Sequence, residues 1–291
     1  MTAVTVLGVV LGSALAGCAS TSGHAPGDRP AAALAAPPEA ASGAPSKAPS
    51  SAPPAAAKPP PTLAPGPEGL ARVLKRGPKS AAKVVALTFD ADMTADEGPR
   101  AAGGEHFDNP ELIALLRRLK VPATVFMTGR WAEEYPSQAR SIGTDPLFEI
   151  ANHSYSHYAF TSPCYGLPAM GSDEIGGEVQ RAFGAIRKTG ARNVVPYFRF
   201  PGGCYDDASL RALAAEKVTA VQWDVVSGDA FATDADAVAE QVLDGVRPGS
   251  LVVMHCTRSA APVTGQAVGQ VVPELRKRGY RFVKVSELTR G

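Results

Sequence analysis

The sequence predicts an α/β fold, a closed or nearly closed barrel of about seven parallel strands, carried on a long arm without a core. Three observations predict it. From residue 83 onward, short apolar runs alternate with amphipathic stretches about seven times, the rhythm of strand–helix–strand units that build a parallel sheet. The polar residues with useful chemistry fall where those runs end, and barrels of this kind keep their sites at the C-terminal ends of strands. The first 80 residues differ altogether in composition.

That opening region divides in two. Residues 4–16 are apolar, too few to span a bilayer and followed by small side chains, which reads as a secretory signal. The signal ends Leu15-Ala16-Gly17-Cys18, which resembles the lipobox of bacterial lipoproteins and implies cleavage before Cys18 with a lipid on its sulfur. Residues 1–18 are therefore expected to be a signal peptide with lipobox. Residues 19–80 are an Ala/Pro/Ser/Gly run with few large apolar side chains, unable to offset the entropy of ordering, and are expected to be a disordered tether. In polyproline form about 60 residues reach on the order of 190 Å. His24 lies in this tether and receives no role. The expected setting is outside the cytoplasm, with the protein anchored to the membrane through the lipid or, if the signal is an ordinary cleaved one, secreted. Residues 81–291 form one domain, long enough for a substantial core.

Charge narrows the partners. Residues 1–80 carry seven Lys and Arg against three Asp and Glu, and the remainder carries 22 against 25. No basic run of the kind that binds nucleic acid is present. We expect a monomer with no nucleic-acid partner.

The elements follow in order. Residues 84–89 are a nearly continuous apolar run, as in a strand buried on both faces. Asn109-Pro110 opens a helix through Leu112, Leu115, Leu116 and Leu119, with Asn as N-cap and Pro in the first turn. Strands are expected at residues 122–127, 147–151, 195–200, 219–224, 251–255 and 281–283. Helices are expected at residues 172–188, 207–216, 234–246 and 265–278.

Two histidines four apart, His153 and His157, share a face if their segment is helical. Imidazole suits zinc and other divalent transition metals, and a carboxylate from Asp90 or Asp92 is the natural third ligand. Arg199, Asp229 and His255 also stand at or beyond strand ends, so residues scattered along the chain converge on one rim. Of the cysteines after Cys18, Cys164 and Cys204 each lie in a loop just after a motif and are the expected disulfide pair. Cys256, with no activated-thiol pattern around it, reads as a small buried residue.

Five ordered motifs resemble the NodB-homology polysaccharide deacetylases over residues 84–288. Thr88-Phe89-Asp90-Ala91-Asp92 is similar to that family's T-F-D-D-G, and His153-Ser154-Tyr155-Ser156-His157 to its H-[ST]-x-x-H. Arg199-Phe200-Pro201-Gly202-Gly203 resembles R-x-P-x-G, residues 221–229 the segment supplying a buried Asp, and Val253-Met254-His255 the L-x-H. The resemblance implies a distorted or incomplete (β/α) barrel and a hydrolase that removes acetyl groups from N-acetylated sugars with a divalent metal, zinc first.

It also implies roles. His153, His157 and Asp92 are the metal ligands, and Asp90 is the general base held ionised by Arg199. His255 is the acid that protonates the departing amine, with Asp229 raising its pKa, and the N–H of Gly202 or Gly203 supports the oxyanion. Ala91 splits the family's adjacent acid pair, so the reverse assignment of Asp90 and Asp92 stays open. The family's Trp after the buried Asp is replaced by Ala230, with Phe231 next, and the loop over residues 93–107, with His106, is long enough to cover the mouth. Trp131 and Tyr135 either offer sugar-stacking faces or pack locally. The implied substrate is a GlcNAc-containing envelope glycan such as peptidoglycan. The competing readings are an O-acetyl esterase acting on a xylan-type glycan and a carbohydrate-binding barrel without catalysis.

Overall fold

The structure, a computed structural model, describes residues 62–78, 82–94 and 96–289. The expected signal, Cys18, His24 and most of the expected tether lie outside the described residues.

Nine strands among the described residues join in one sheet: β1 Val73–Leu74, β2 Val84–Ala91, β3 Ala123–Met127, β4 Phe148–Asn152, β5 Val194–Phe198, β6 Thr219–Val221, β7 Val225–Val226, β8 Ser250–His255 and β9 Arg281–Phe282. Their order is β1-β6-β5-β4-β3-β2-β8-β7, with β9 beside the start of β2, and every strand pairing is parallel. The sheet curls into an incomplete barrel with helices outside, as the element rhythm predicts. All eight residues of β2 are buried, as its continuous apolar run requires of a central strand.

The helices are α1 Gly98–Ala102, α2 Pro110–Arg118, α3 Gly129–Glu134, α4 Pro136–Gly143, α5 Ile175–Lys188, α6 Asp207–Ala215, α7 Ala235–Gly245, α8 Thr264–Lys277 and α9 Val285–Leu288. Their starts follow from capping chemistry. The side chains of Asn109, Thr128 and Asp234 accept from first-turn N–H groups of α2, α3 and α7, and Asp206 forms a capping box with Ser209 on α6.

Two expectations are corrected. The stretch at residues 219–224 is not one strand. After β6 the chain turns at Gln222, whose N–H donates to the Leu74 carbonyl (2.8 Å), and Asp224 then accepts from the Leu251 N–H (2.7 Å). It thus leaves one end of the sheet and enters the other as β7. The second correction concerns residues 62–78, placed by composition in the tether. They are folded against the domain: β1 pairs with β6, and Arg76 bridges Ser250 at the start of β8. The Arg76 guanidinium also donates to the Pro248 carbonyl (2.9 Å) and stands 3.6 Å from Asp224. This strap crosses the gap between β6 and β8. Ala71 is buried in the core, Leu70, Val73 and Leu74 pack against it, and β1 pairs with the edge that the barrel leaves open.

Candidate active site

Asp90 lies near the end of β2 and Arg199 just past the end of β5, and they meet in the barrel mouth. The Arg199 guanidinium is fully buried. Its Nη1 donates to Asp90 Oδ1 (2.6 Å), Nη2 to Thr88 Oγ1 (2.7 Å) and Nε to the Val221 carbonyl (3.2 Å). Its Cζ also sits 3.9 Å from the Phe126 ring centre and 5.4 Å from that of Trp223. A buried charge persists only with such pairing, so Arg199 holds Asp90 in one orientation.

His153 follows β4. Its Nδ1 lies 2.9 Å from the Arg199 carbonyl, an acceptor, so Nδ1 carries the proton and the lone pair sits on Nε2, 3.7 Å from Asp90 Oδ2. Burial pushes the His153 pKa down to about 4 against the opposing pull of Asp90, leaving a neutral imidazole at pH 7. His157 Nε2 lies 3.8 Å from Asp92 Oδ2, and the two imidazole rings are 5.0 Å apart.

The histidines do meet, but the helical spacing argument is not how. The segment is a tight turn with Ser154 and His157 at positive φ (66° and 58°). The Asn152 side chain accepts from the Ser154 N–H (2.8 Å), and Ser154 Oγ accepts from the His157 N–H (3.0 Å). Buried Glu178 on α5 completes it, with one carboxylate oxygen accepting from the N–H groups of Tyr155 and Ser156 and from Ser156 Oγ (3.0, 2.8 and 2.8 Å).

Asp92, just beyond β2, faces the same histidines. Burial would raise its pKa, but His157, His255, the 2.6 Å hydrogen bond from Thr257 Oγ1, and His153 together lower it, so it stays ionised. At the end of β8, His255 Nδ1 donates to Asp229 Oδ1 (2.8 Å) and its backbone N–H to Oδ2 (2.7 Å). Asp229 is buried and accepts further from Ser227 Oγ (2.8 Å) and Thr264 Oγ1 (2.7 Å). Burial alone would depress His255, but the Asp229 bond and charge, followed by Asp92 and Asp90, overcome it and raise the pKa to about 9.

Gly202 and Gly203 form a turn after Pro201 at positive φ (61° and 74°). The Gly203 N–H is engaged by the Phe200 carbonyl (2.9 Å), which takes it out of the pair of oxyanion donors and leaves Gly202. Only glycine fits at Gly202, where a Cβ would stand 2.6 Å from Cys164 Sγ. Cys164 and Cys204 are joined (S–S 2.09 Å), tying the loop after β4 to the loop after β5. Cys256 is buried and its thiol is pushed up to about 12 by burial, which suits a packed residue and no nucleophile.

Sequence reasoning missed Glu178, Thr257 and Thr264 and gave no role to Thr88 and Ser227 within their motifs, common residues whose value lies in where the fold puts them. It also missed Trp223, packed so closely on Gly203 that a Cβ there would lie 2.5 Å from its ring. Trp131 is fully buried, with Nε1 donating to the Phe107 carbonyl (2.6 Å), and its ring lies 5.2 Å from that of Tyr135, so both pack locally. The long loop carries α1, and its His106 carbonyl accepts from the Ser259 N–H (2.9 Å), tying it to the segment after β8.

Two imidazole nitrogens and two carboxylates are the donor chemistry of a zinc or similar divalent site. The His153 tautomer fits, because a carbonyl holds Nδ1–H and leaves Nε2 free to ligate. The nitrogen–oxygen separations of 3.7 and 3.8 Å exceed hydrogen bonds, and among the described residues no three His, Cys, Asp or Glu close on a common point as a finished cage.

Residues 77–221 match the family model for polysaccharide deacetylase. The chain is 29% identical to a chitooligosaccharide deacetylase of Sinorhizobium fredii, over 65% of this chain and 86% of that protein. It is 28% identical to a peptidoglycan-N-acetylglucosamine deacetylase of Bacillus cereus, over 72% and 89%. A Bacillus anthracis protein described as a CE4 family pseudoenzyme shares the fold at a TM-score of 0.60 and 26% identity, covering 78% of this chain and 69% of that one. An acetyl xylan esterase of family 4 from Clostridium thermocellum, solved with a cobalt ion, matches at a TM-score of 0.56 and 25% identity, over 72% and 91%.

Proposed function

Since this chain belongs to the polysaccharide deacetylase family, we propose that it is a metal-dependent hydrolase removing N-acetyl groups from a GlcNAc-containing glycan outside the cytoplasm, with peptidoglycan foremost. The observation that carries this reading is the pairing, at one rim, of a neutral imidazole at His153 with a cationic one at His255 on either side of two carboxylates. His153, His157 and Asp92 would hold the metal. When bound, a divalent ion supplies Lewis acidity to an otherwise unreactive amide and lowers the pKa of the attacking water. Asp90, fixed by Arg199, takes the proton from that water at Oδ2, the oxygen that Arg199 leaves free. His255 delivers a proton from Nε2 to the departing amine, and Asp229 stabilises the imidazolium beforehand. The Gly202 N–H offers a donor to the developing oxyanion.

The lipid anchor at Cys18 and the tether complete the proposal, placing the domain among envelope glycans. The Cys164–Cys204 bond supports an oxidising compartment. Acetate release from N-acetylated peptidoglycan fragments, measured with chelator and then with zinc restored, tests the reading. Release that stops with chelator and returns with zinc is the expected result, and release from O-acetylated xylan alone would make the protein an esterase instead. A second reading has its own observation: Ala91 stands where the family has an acid, and a pseudoenzyme shares this fold. Metal binding with no acetate released from either substrate would establish it.

A further inference from the structure

Among the described residues, three large hydrophobic side chains stand out in solvent: Tyr165 (89% exposed), Phe231 (83%) and Val226 (50%). Single exposed apolar residues are ordinary. Tyr165 and Phe231 are set apart by how they are held. Both have left-handed backbone, φ 47° and 58°, a conformation that bulky residues adopt only when their surroundings impose it.

Tyr165 follows the disulfide-bonded Cys164, and its turn is closed by the Leu167 N–H donating to the Cys164 carbonyl (2.8 Å). Its ring borders the candidate oxyanion turn, where a Cβ on Gly202 would lie 3.4 Å from Tyr165 Cδ2. Phe231 is pinned through its N–H to the Ala260 carbonyl (2.6 Å), in a turn that the Ala232 N–H closes on the Asp229 carbonyl (3.1 Å). Tyr165 therefore stands on the β4–β5 side of the mouth and Phe231 on the β7–β8 side. Strand β2, with Asp90 and Asp92 at its end, lies between them in the sheet.

We propose that Tyr165 and Phe231 are stacking platforms for sugar rings on opposite sides of the site, so that the protein holds a glycan chain laid across the mouth. An aromatic face offers the apolar C–H face of a pyranose a rigid partner at little entropic cost, and the Cys164–Cys204 bond on one side and the Phe231–Ala260 hydrogen bond on the other restrain the turns that carry the two rings. This rests on the glycan-deacetylase reading and extends it from a single acetylated sugar to several consecutive ones.

The test is isothermal titration of β-1,4-linked N-acetylglucosamine oligomers, from two to six units, into wild type, Tyr165→Ala, Phe231→Ala and the double variant. Each single substitution should weaken hexamer binding by roughly five- to tenfold and leave disaccharide binding little changed. The aromatic replacements Tyr165→Phe and Phe231→Tyr should bind as wild type. Hexamer affinity that survives both alanine substitutions, or an equal loss for every length, would overturn the proposal. Acetate release from the same oligomers is read separately: a protein that releases none yet loses hexamer affinity in these variants keeps its platforms and loses the deacetylase reading.

Discussion

His153 and His255 stand at the same rim, the first buried and the second partly buried, and are driven in opposite directions. Burial depresses each. His153 Nδ1 has only a backbone carbonyl for a partner, so desolvation wins and the ring is neutral. His255 Nδ1 has the Asp229 carboxylate at 2.8 Å, itself fixed by Ser227 and Thr264, so charge wins and the ring is cationic. One residue type becomes neutral or cationic according to the partner of a single nitrogen.

Breaking the His255 side should have the largest effect. Asp229→Asn removes the charge that raises His255, and kcat should fall by about 10²–10⁴ while the alkaline limb of the pH–rate profile moves from about 9 toward the ordinary histidine range. An unmoved limb would show that Asp229 does not set that pKa. On the other side, Arg199→Met leaves Asp90 buried without its cation and should cost about 3–5 kcal/mol, read as a drop in the midpoint of urea unfolding. A midpoint within error of wild type would mean that the His153 flank is not locked by this pair.

Smaller effects sharpen the comparison. Thr257→Val removes the hydrogen bond to Asp92 Oδ1, and zinc affinity should weaken by about 10–100-fold with the fold intact. Stability should also respond to pH with opposite signs. His255 keeps its proton up to about 9 when folded, against roughly 6.5 when unfolded, so its stabilisation is complete below the latter and is lost as pH rises through the former. His153, with a folded pKa of about 4, contributes a loss as pH falls from its unfolded value through about 4. Melting temperatures of metal-free protein should peak between these windows, and His255→Gln should flatten the alkaline side only.

What the sequence made legible was the set of residues at strand ends, because period and burial dictate where strands stop and which side chains reach the rim. Asp90, His153, Arg199 and His255 all arrive that way. The turn geometry was not legible. His153 and His157 converge through left-handed residues and the distant Glu178 carboxylate, and no local spacing encodes a partner on α5. Nor was the strap of residues 62–78, whose composition resembles a tether and whose order comes from an edge offered by β6. Trp223 escaped for a similar reason: its role exists only because β6 and β7 part company at that point.

The most direct test of a metal pair with a separate base is zinc titration and acetate release measured together on wild type, the His153→Ala/His157→Ala double variant and Asp90→Asn. The account predicts that the double variant loses both zinc binding and release, whereas Asp90→Asn keeps zinc and releases no acetate. Undiminished zinc binding in the double variant, or acetate release from Asp90→Asn at the wild-type rate, would contradict it.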